Sequence, residues 1–162
     1  VYPVYSPELC EEVKRLALMA DLITPNLTEF CVLTDTDYDE IMLNAYKDSM
    51  NTVIFEKAKP LFENGIKTVI ITSVPVTEGY VTNCIVTPDG VENVSSRIFE
   101  GSFSGTGDLF ASVVCGAVVK GESVYDAVCR AARFLEASLS ATVCECTRPE
   151  DGICFEPFLK LL

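Results

Sequence analysis

The chain has 162 residues, 49% of them hydrophobic, and its 24 acidic against 12 basic side chains give a formal charge of −12. That length and apolar content suit one globular domain with a substantial core and exclude a disordered chain, while so acidic a surface repels nucleic acid and anionic lipid and excludes both as partners. No apolar run approaches the ~20 residues that span a bilayer, and the opening VYPVYSPELC has no basic stretch followed by an apolar one, so a soluble, cytoplasmic protein is expected.

The chain opens with a helix signal. In SPELCEEVKRLALMA, Ser6 is placed to cap and Pro7 to occupy the first helical position, and Leu9, Val13, Leu16, Ala17 and Ala20 share one face. DLITP, residues 21–25, is a short β-prone run stopped by proline, and NLTEFCVLTD then starts a second helix at Asn26. Residues 45–64 carry a helical pattern broken or kinked near Pro60 and ended by Gly65.

IKTVIITS, residues 66–73, is apolar until its end, as a central strand covered on both faces should be. Its polar residues Thr72 and Ser73 then emerge at the carboxyl edge of the sheet, where open α/β folds bind ligands. Residues 79–98 read as a hairpin around the turn Pro88, Asp89, Gly90. LFASVVCGAVVKG follows as a helix apolar on all sides, which implies burial. Ser123 and Asp126 make a capping-box-like start to a last long helix carrying Val128, Ala131, Phe134, Leu135 and Ala137. FEPFLKLL packs as a short closing turn. With no repeat or linker, the pattern is one α/β layer structure.

Eight cysteines in so short a chain invite a disulfide reading, but Cys84, Cys115 and Cys129 sit inside apolar runs, as buried free thiols do. Cys144 and Cys146 lack the spacer and second pair of a usual zinc site. The absence of histidine excludes any mechanism that needs an imidazole base. Acid or base chemistry falls to a carboxylate, Lys, Tyr or Cys.

The stretch SGTGD, residues 104–108, is where such chemistry concentrates. Gly105, Thr106 and Gly107 would aim backbone amides at one spot in front of a helix, adding the positive end of its dipole, and this attracts an anion. Asp108 would stand beside that anion, able to accept the proton of an attacking hydroxyl. An aspartate in a first turn also favours the helix by about 0.3–1 kcal/mol with no catalysis at all, so the spacing leaves a simple helix start open. Leu109 and Phe110 stand where a P-loop needs Lys and Ser or Thr, which excludes a P-loop. Asn26 and Glu29, three apart at a strand-to-helix junction, could reach a metal ion or its waters near phosphates, and they equally form a capping box.

ADLITPNLTE, TVIITS and FSGTGDLFASVVCGAVVKGESVYDAV occur in the order and spacing of the ribokinase-like superfamily of small-molecule kinases. Within it the chain most resembles pyridoxal (pyridoxine, pyridoxamine) kinases of bacterial type, over essentially its whole length. The resemblance implies a three-layer α/β/α, Rossmann-like fold, here incomplete, with a β-hairpin near the nucleotide site. It implies ATP and magnesium as cofactors and phosphorylation of the 5'-hydroxyl of a B6 vitamer. Asp108 would be the base and Gly105, Thr106 and Gly107 the anion hole. Thr72 and Ser73 would contact nucleotide phosphates, and Asn26 and Glu29 would act through magnesium and waters. Residues from about Val86 to Phe103 match the region around adenine.

Hydroxymethylpyrimidine kinases share ITPN but commonly carry Cys where this chain has Asp108, and sugar kinases keep the aspartate but differ around ITPNLTE. The chain matches only the C-terminal part of such kinases, residues 1–162 forming the nucleotide- and phosphate-binding part, and the complete enzymes are commonly homodimers. A part of this kind is expected to leave a sheet edge and apolar helix faces uncovered, to bind nucleotide weakly and to turn over little. The reading from another class is a non-catalytic association module in which the glycine turn only starts a helix.

Overall fold

The computed structural model describes residues 6–45, 49–77, 79–99, 101, 103–145 and 152–162. Its elements run α1 (Pro7–Ala17), β1 (Leu22–Ile23), α2 (Leu27–Leu33), α3 (Tyr38–Ala45), α4 (Met50–Glu63), β2 (Thr68–Thr77), β3 (Tyr80–Thr87), β4 (Gly90–Arg97), α5 (Thr106–Val119) and α6 (Val124–Cys144), closed by a 3-10 helix, Glu156–Leu161. Helices α1, α2 and α6 start at side chains that accept first-turn amides left without an intrahelical partner. Ser6 Oγ accepts from the Leu9 amide at 3.2 Å, Asn26 Oδ1 from Glu29 at 2.9 Å and Ser123 Oγ from Asp126 at 3.1 Å.

The strands form one sheet in the order β1-β2-β3-β4. β1 runs parallel to β2, Leu22 opposite Thr68 and Ile23 opposite Val69. β3 and β4 are joined by only two residues, Pro88 and Asp89, a link short enough only for an antiparallel pair. The expected hairpin is therefore present, and Gly90 leaves the turn at φ 147°. The fold is α/β, as expected. None of the described helices is long and apolar enough to cross a membrane.

The chain divides into two compact units, one of Val1–Val76 with Asn83–Asn93 and one of Thr77–Thr82 with Val94–Leu162. In the first, Phe30 of α2, Ile41 of α3, Ile54 and Ala58 of α4, and Val69, Ile71 and Val74 of β2 are wholly buried in one core with Cys84 and Val86 of β3. Helices and strands thus close on one another, each large side chain contributing about 1.5–3 kcal/mol of burial. No residue of α1 is buried, and its Leu9, Val13 and Leu16 are exposed. The apolar face expected there exists and stands uncovered.

In the second unit, Phe110, Val113, Val114 and Ala117 form a stripe on α5, and Ala127, Val128, Ala131 and Phe134 form one on α6. The spacing is that of one buried helix face. Gly121, at φ 92°, turns the chain between the two helices. Arg130 ties the ends together: its guanidinium grips Glu122 at 2.9 and 3.2 Å and donates to the Leu162 carbonyl at 3.2 Å. The tail is pinned again where the Cys154 amide donates to the buried Thr142 hydroxyl at 2.9 Å.

Several expectations need correction. α5 is not covered on all sides, because Cys115 and Val119 lie on its open face and Val119 is 81% exposed. Cys115 is therefore not a buried thiol, Cys129 is half-buried, and of the three only Cys84 is fully enclosed; Cys146 lies outside the described residues. On α6, Leu135 and Ala137 are only half-buried. The helix expected over 45–64 begins at Met50 and passes through Pro60 to Glu63 without ending there. An unforeseen helix, α3, precedes it, started by Asp37, whose carboxylate accepts the Asp39 amide at 3.0 Å. β2 does not stop at Ser73 but runs on to Thr77.

Burial pushes the Cys84 thiol up to about 12, and only the thiolate reacts with alkylating agents. Iodoacetamide at about pH 8 is expected to label Cys115 and leave Cys84 untouched until denaturant is added, as read by peptide mass spectrometry; equal labelling rates would contradict a buried β3. Because folding favours the neutral thiol, its contribution to stability is complete below the unfolded pKa of about 8.5 and is lost as the pH climbs towards the folded value.

Candidate functional site

In the first unit a cavity of about 790 Å³ opens beside α1 and α2, and Asn26, Glu29, Thr72 and Ser73 all border it. Four residues singled out from two distant stretches of sequence thus come together. The backbone explains how. The Thr72 amide donates to the Pro25 carbonyl at 2.8 Å, and Asn26 bridges Thr72 in parallel register, so the start of α2 lies beside β2.

Asn26 and Glu29 make a complete capping box. Asn26 Oδ1 accepts the Glu29 amide, and Glu29 Oε2 accepts the Asn26 amide at 2.8 Å. Both side chains are therefore held in place without a ligand. A carboxylate has two oxygens and about four acceptor positions, so the cap does not use up Glu29, which is exposed at the cavity. Lys14 borders the same cavity, and hydrogen bonding to Asp35 at 3.2 Å raises its pKa.

Ser73 is unusual in having φ 56°, in the left-handed region. For a serine inside a strand this costs on the order of 1–3 kcal/mol and persists only where the surroundings impose it. Asn83 of β3, 5% exposed, accepts the Ser73 amide on its Oδ1 at 3.2 Å. Asn83 was not foreseen as a site residue. The signal was present, since asparagine is a poor strand former and here sits in the β-prone run YVTNCIVT.

In the second unit the glycine turn is set out by itself at the start of α5. Gly105 is the N-cap at φ 83° and, unlike Ser6, Asn26 and Ser123, supplies no side-chain cap. The first helical bond runs from the Leu109 amide to the Gly105 carbonyl at 3.0 Å, so the amides of Thr106, Gly107 and Asp108 lie ahead of the ladder. A Cβ built on Gly105 or Gly107 would meet nothing within 4 Å. Asp108 is exposed in this first turn. The geometry is that of an open helix start able to receive an anion.

Comparison with known proteins draws the same outline. The family model described as phosphomethylpyrimidine kinase matches residues 2–148. The chain belongs to the phosphomethylpyrimidine kinase family. A Bacteroides thetaiotaomicron VPI-5482 protein provisionally assigned as such a kinase is 30% identical in a crystal form with pyridoxal, at a TM-score of 0.86 covering 99% of this chain and 55% of that one. Pyridoxal kinase of Lactobacillus plantarum, 22% identical, superposes with a TM-score of 0.79 over 99% of this chain and 55% of its own, a likeness of fold. An ADP complex of Bacillus subtilis pyridoxal kinase is 25% identical, with a TM-score of 0.64 over 84% of this chain and 50% of that one. The chain spans about half the length of these relatives. The ribokinase-like architecture expected for this kinase family is the one observed.

A member of this kinase family is expected to use magnesium. Among the described residues no three His, Cys, Asp or Glu come together as a cage. Magnesium bound with nucleotides keeps several waters and needs only one or two protein carboxylates, and one exposed carboxylate held by its cap suits that role. Capping and ligand roles separate by substitution. Asn26→Ala should lower the unfolding free energy by about 1 kcal/mol in urea, whereas Asn26→Ser, itself a good cap, should lose less than about 0.5 kcal/mol. Equal losses would mean that Asn26 stabilises the chain by something other than its cap.

Proposed function

We propose that the protein is a kinase that transfers the γ-phosphoryl group of ATP to the 5'-hydroxyl of a B6 vitamer, whether pyridoxal, pyridoxine or pyridoxamine. The observation that carries the reading is the start of α5, where glycines leave amides open and a carboxylate stands exposed in the same turn. In this reading Asp108 takes the proton of the attacking hydroxyl. The amides of Gly105, Thr106 and Gly107 stabilise charge on the transferring group without needing to reorganise. Thr72 and Ser73 hold nucleotide phosphates. Asn26 and Glu29 would hold magnesium through water, and the ion would supply neutralisation of phosphate charge.

Family membership supports phosphoryl transfer, and the B6 assignment draws on solved relatives described as pyridoxal kinases or carrying pyridoxal. A cytoplasmic setting and a homodimeric complete enzyme belong to the same reading. A second substrate class, a hydroxymethyl- or phosphomethylpyrimidine, is suggested by the description of the family as phosphomethylpyrimidine kinase. Asp108 argues for the vitamer, because hydroxymethylpyrimidine kinases commonly carry cysteine at that position.

Two variants test the reading. Gly107 has no positive φ and faces open space, so Gly107→Val should fold normally while its side chain fills the anion pocket. Calorimetry is expected to show MgATP binding lost in Gly107→Val and kept in Asp108→Asn. In the complete enzyme, phosphorylation of pyridoxal should fall about 10²–10⁴-fold in Asp108→Asn, as loss of a general base does. Unchanged MgATP binding by Gly107→Val would reduce the turn to a helix start. Faster turnover of hydroxymethylpyrimidine than of pyridoxal would give the substrate to the second reading.

A further inference from the structure

Residues along a pleated strand alternate between faces. Among the described side chains of β2, Thr72 and Ser73 depart from this rule, being consecutive and both bordering the same cavity. The departure coincides with the left-handed backbone of Ser73, which re-aims the chain before Val74 returns to the core at 0% exposure. A serine does not choose this conformation unaided. The group that meets it is the side chain of Asn83, a residue only 5% exposed, where a polar amide is unfavourable unless hydrogen-bonded. Two local costs, an asparagine within a buried strand and a left-handed serine, lie at the two ends of one hydrogen bond of 3.2 Å.

We infer that Asn83 is a positioning residue, whose side-chain carbonyl holds Ser73 in the left-handed conformation and so sets Thr72 and Ser73 together at the phosphate end of the cavity. The role rests on the proposed nucleotide contact of these two residues. Asn83 acts through Ser73, with its oxygen occupied by the Ser73 amide.

A double-mutant cycle tests it. Asn83→Leu keeps the volume and removes the acceptor, and Ser73→Gly makes the left-handed conformation free of steric cost. In the chain without ligand, Asn83→Leu is expected to speed hydrogen exchange of the Ser73 amide, followed by NMR, by about tenfold, while Asn83→Asp, which keeps the oxygen, leaves it slow. Calorimetric Kd for MgADP should rise about tenfold for Asn83→Leu, equivalent to ~1.4 kcal/mol, but less than about twofold when position 73 is already glycine. The same factor in both backgrounds would overturn the inference, since Asn83 would then act on the fold at large. Unchanged Ser73 exchange in Asn83→Leu would overturn it too. Absence of MgADP binding by the wild-type chain would instead remove the nucleotide reading, and exchange at Ser73 tells that failure apart from failure of the restraint.

Discussion

The first unit depends on a parallel ribbon only a few residues long. Asp21 accepts the Lys67 amide at 2.8 Å, Leu22 and Ile23 pair with Thr68 and Val69, and Pro25 accepts the Thr72 amide at 2.8 Å. Parallel neighbours cannot be joined by a tight turn, and here α2, α3 and α4 make the crossover. Because the ribbon ends where α2 begins, the helix's capping residues are delivered to the polar part of β2. A slip of one residue would turn every β1 side chain to the other face and move Asn26 away from Thr72.

Stability and chemistry are divided differently in the two units. In the first, the cavity is edged by groups already bonded to the protein: Asn26 and Glu29 to each other, Ser73 to Asn83, Lys14 to Asp35. A ligand arriving there meets side chains already ordered, so less conformational freedom is lost on binding. In the second, the buried stripes of α5 and α6 supply the cohesion, and the open end of α5 is left to backbone groups. The surface ion pairs elsewhere, such as Lys67–Asp21 with both partners exposed, contribute little by comparison.

Local chemistry made most of the fold legible. Ser6 with Pro7, Asn26 with Glu29 and Ser123 with Asp126 each act within three residues of themselves, so their caps could be read in advance and stand where expected. Helix α3 was legible in principle, since Asp37 followed by acidic first-turn residues and Ile41 is a start signal. Burial was harder. The α5 run is apolar at nearly every position, and nothing in it says that Cys115 and Val119 are left uncovered. The site was half legible for the same reason. Thr72 and Ser73 stood out as a polar end to an apolar run, but the left-handed Ser73 meets Asn83, a residue on another strand.

In its proposed role, the opening turn of α5 would draw an anion with groups that carry no formal charge. The amides of Thr106 and Gly107 have no proton to lose in the biological pH range, and an acidic chain of net charge −12 can present them without adding a single lysine. Their pull comes from fixed backbone dipoles, so acylation or methylation of side chains cannot silence it. The vulnerability is steric: at Gly105 the backbone conformation resists any side chain, and at Gly107 one grown into the open space would stand where the anion would sit. Evolution of such a turn is therefore a matter of keeping atoms out, and its activity could be extinguished by a single methyl-bearing substitution that leaves the helix behind it intact.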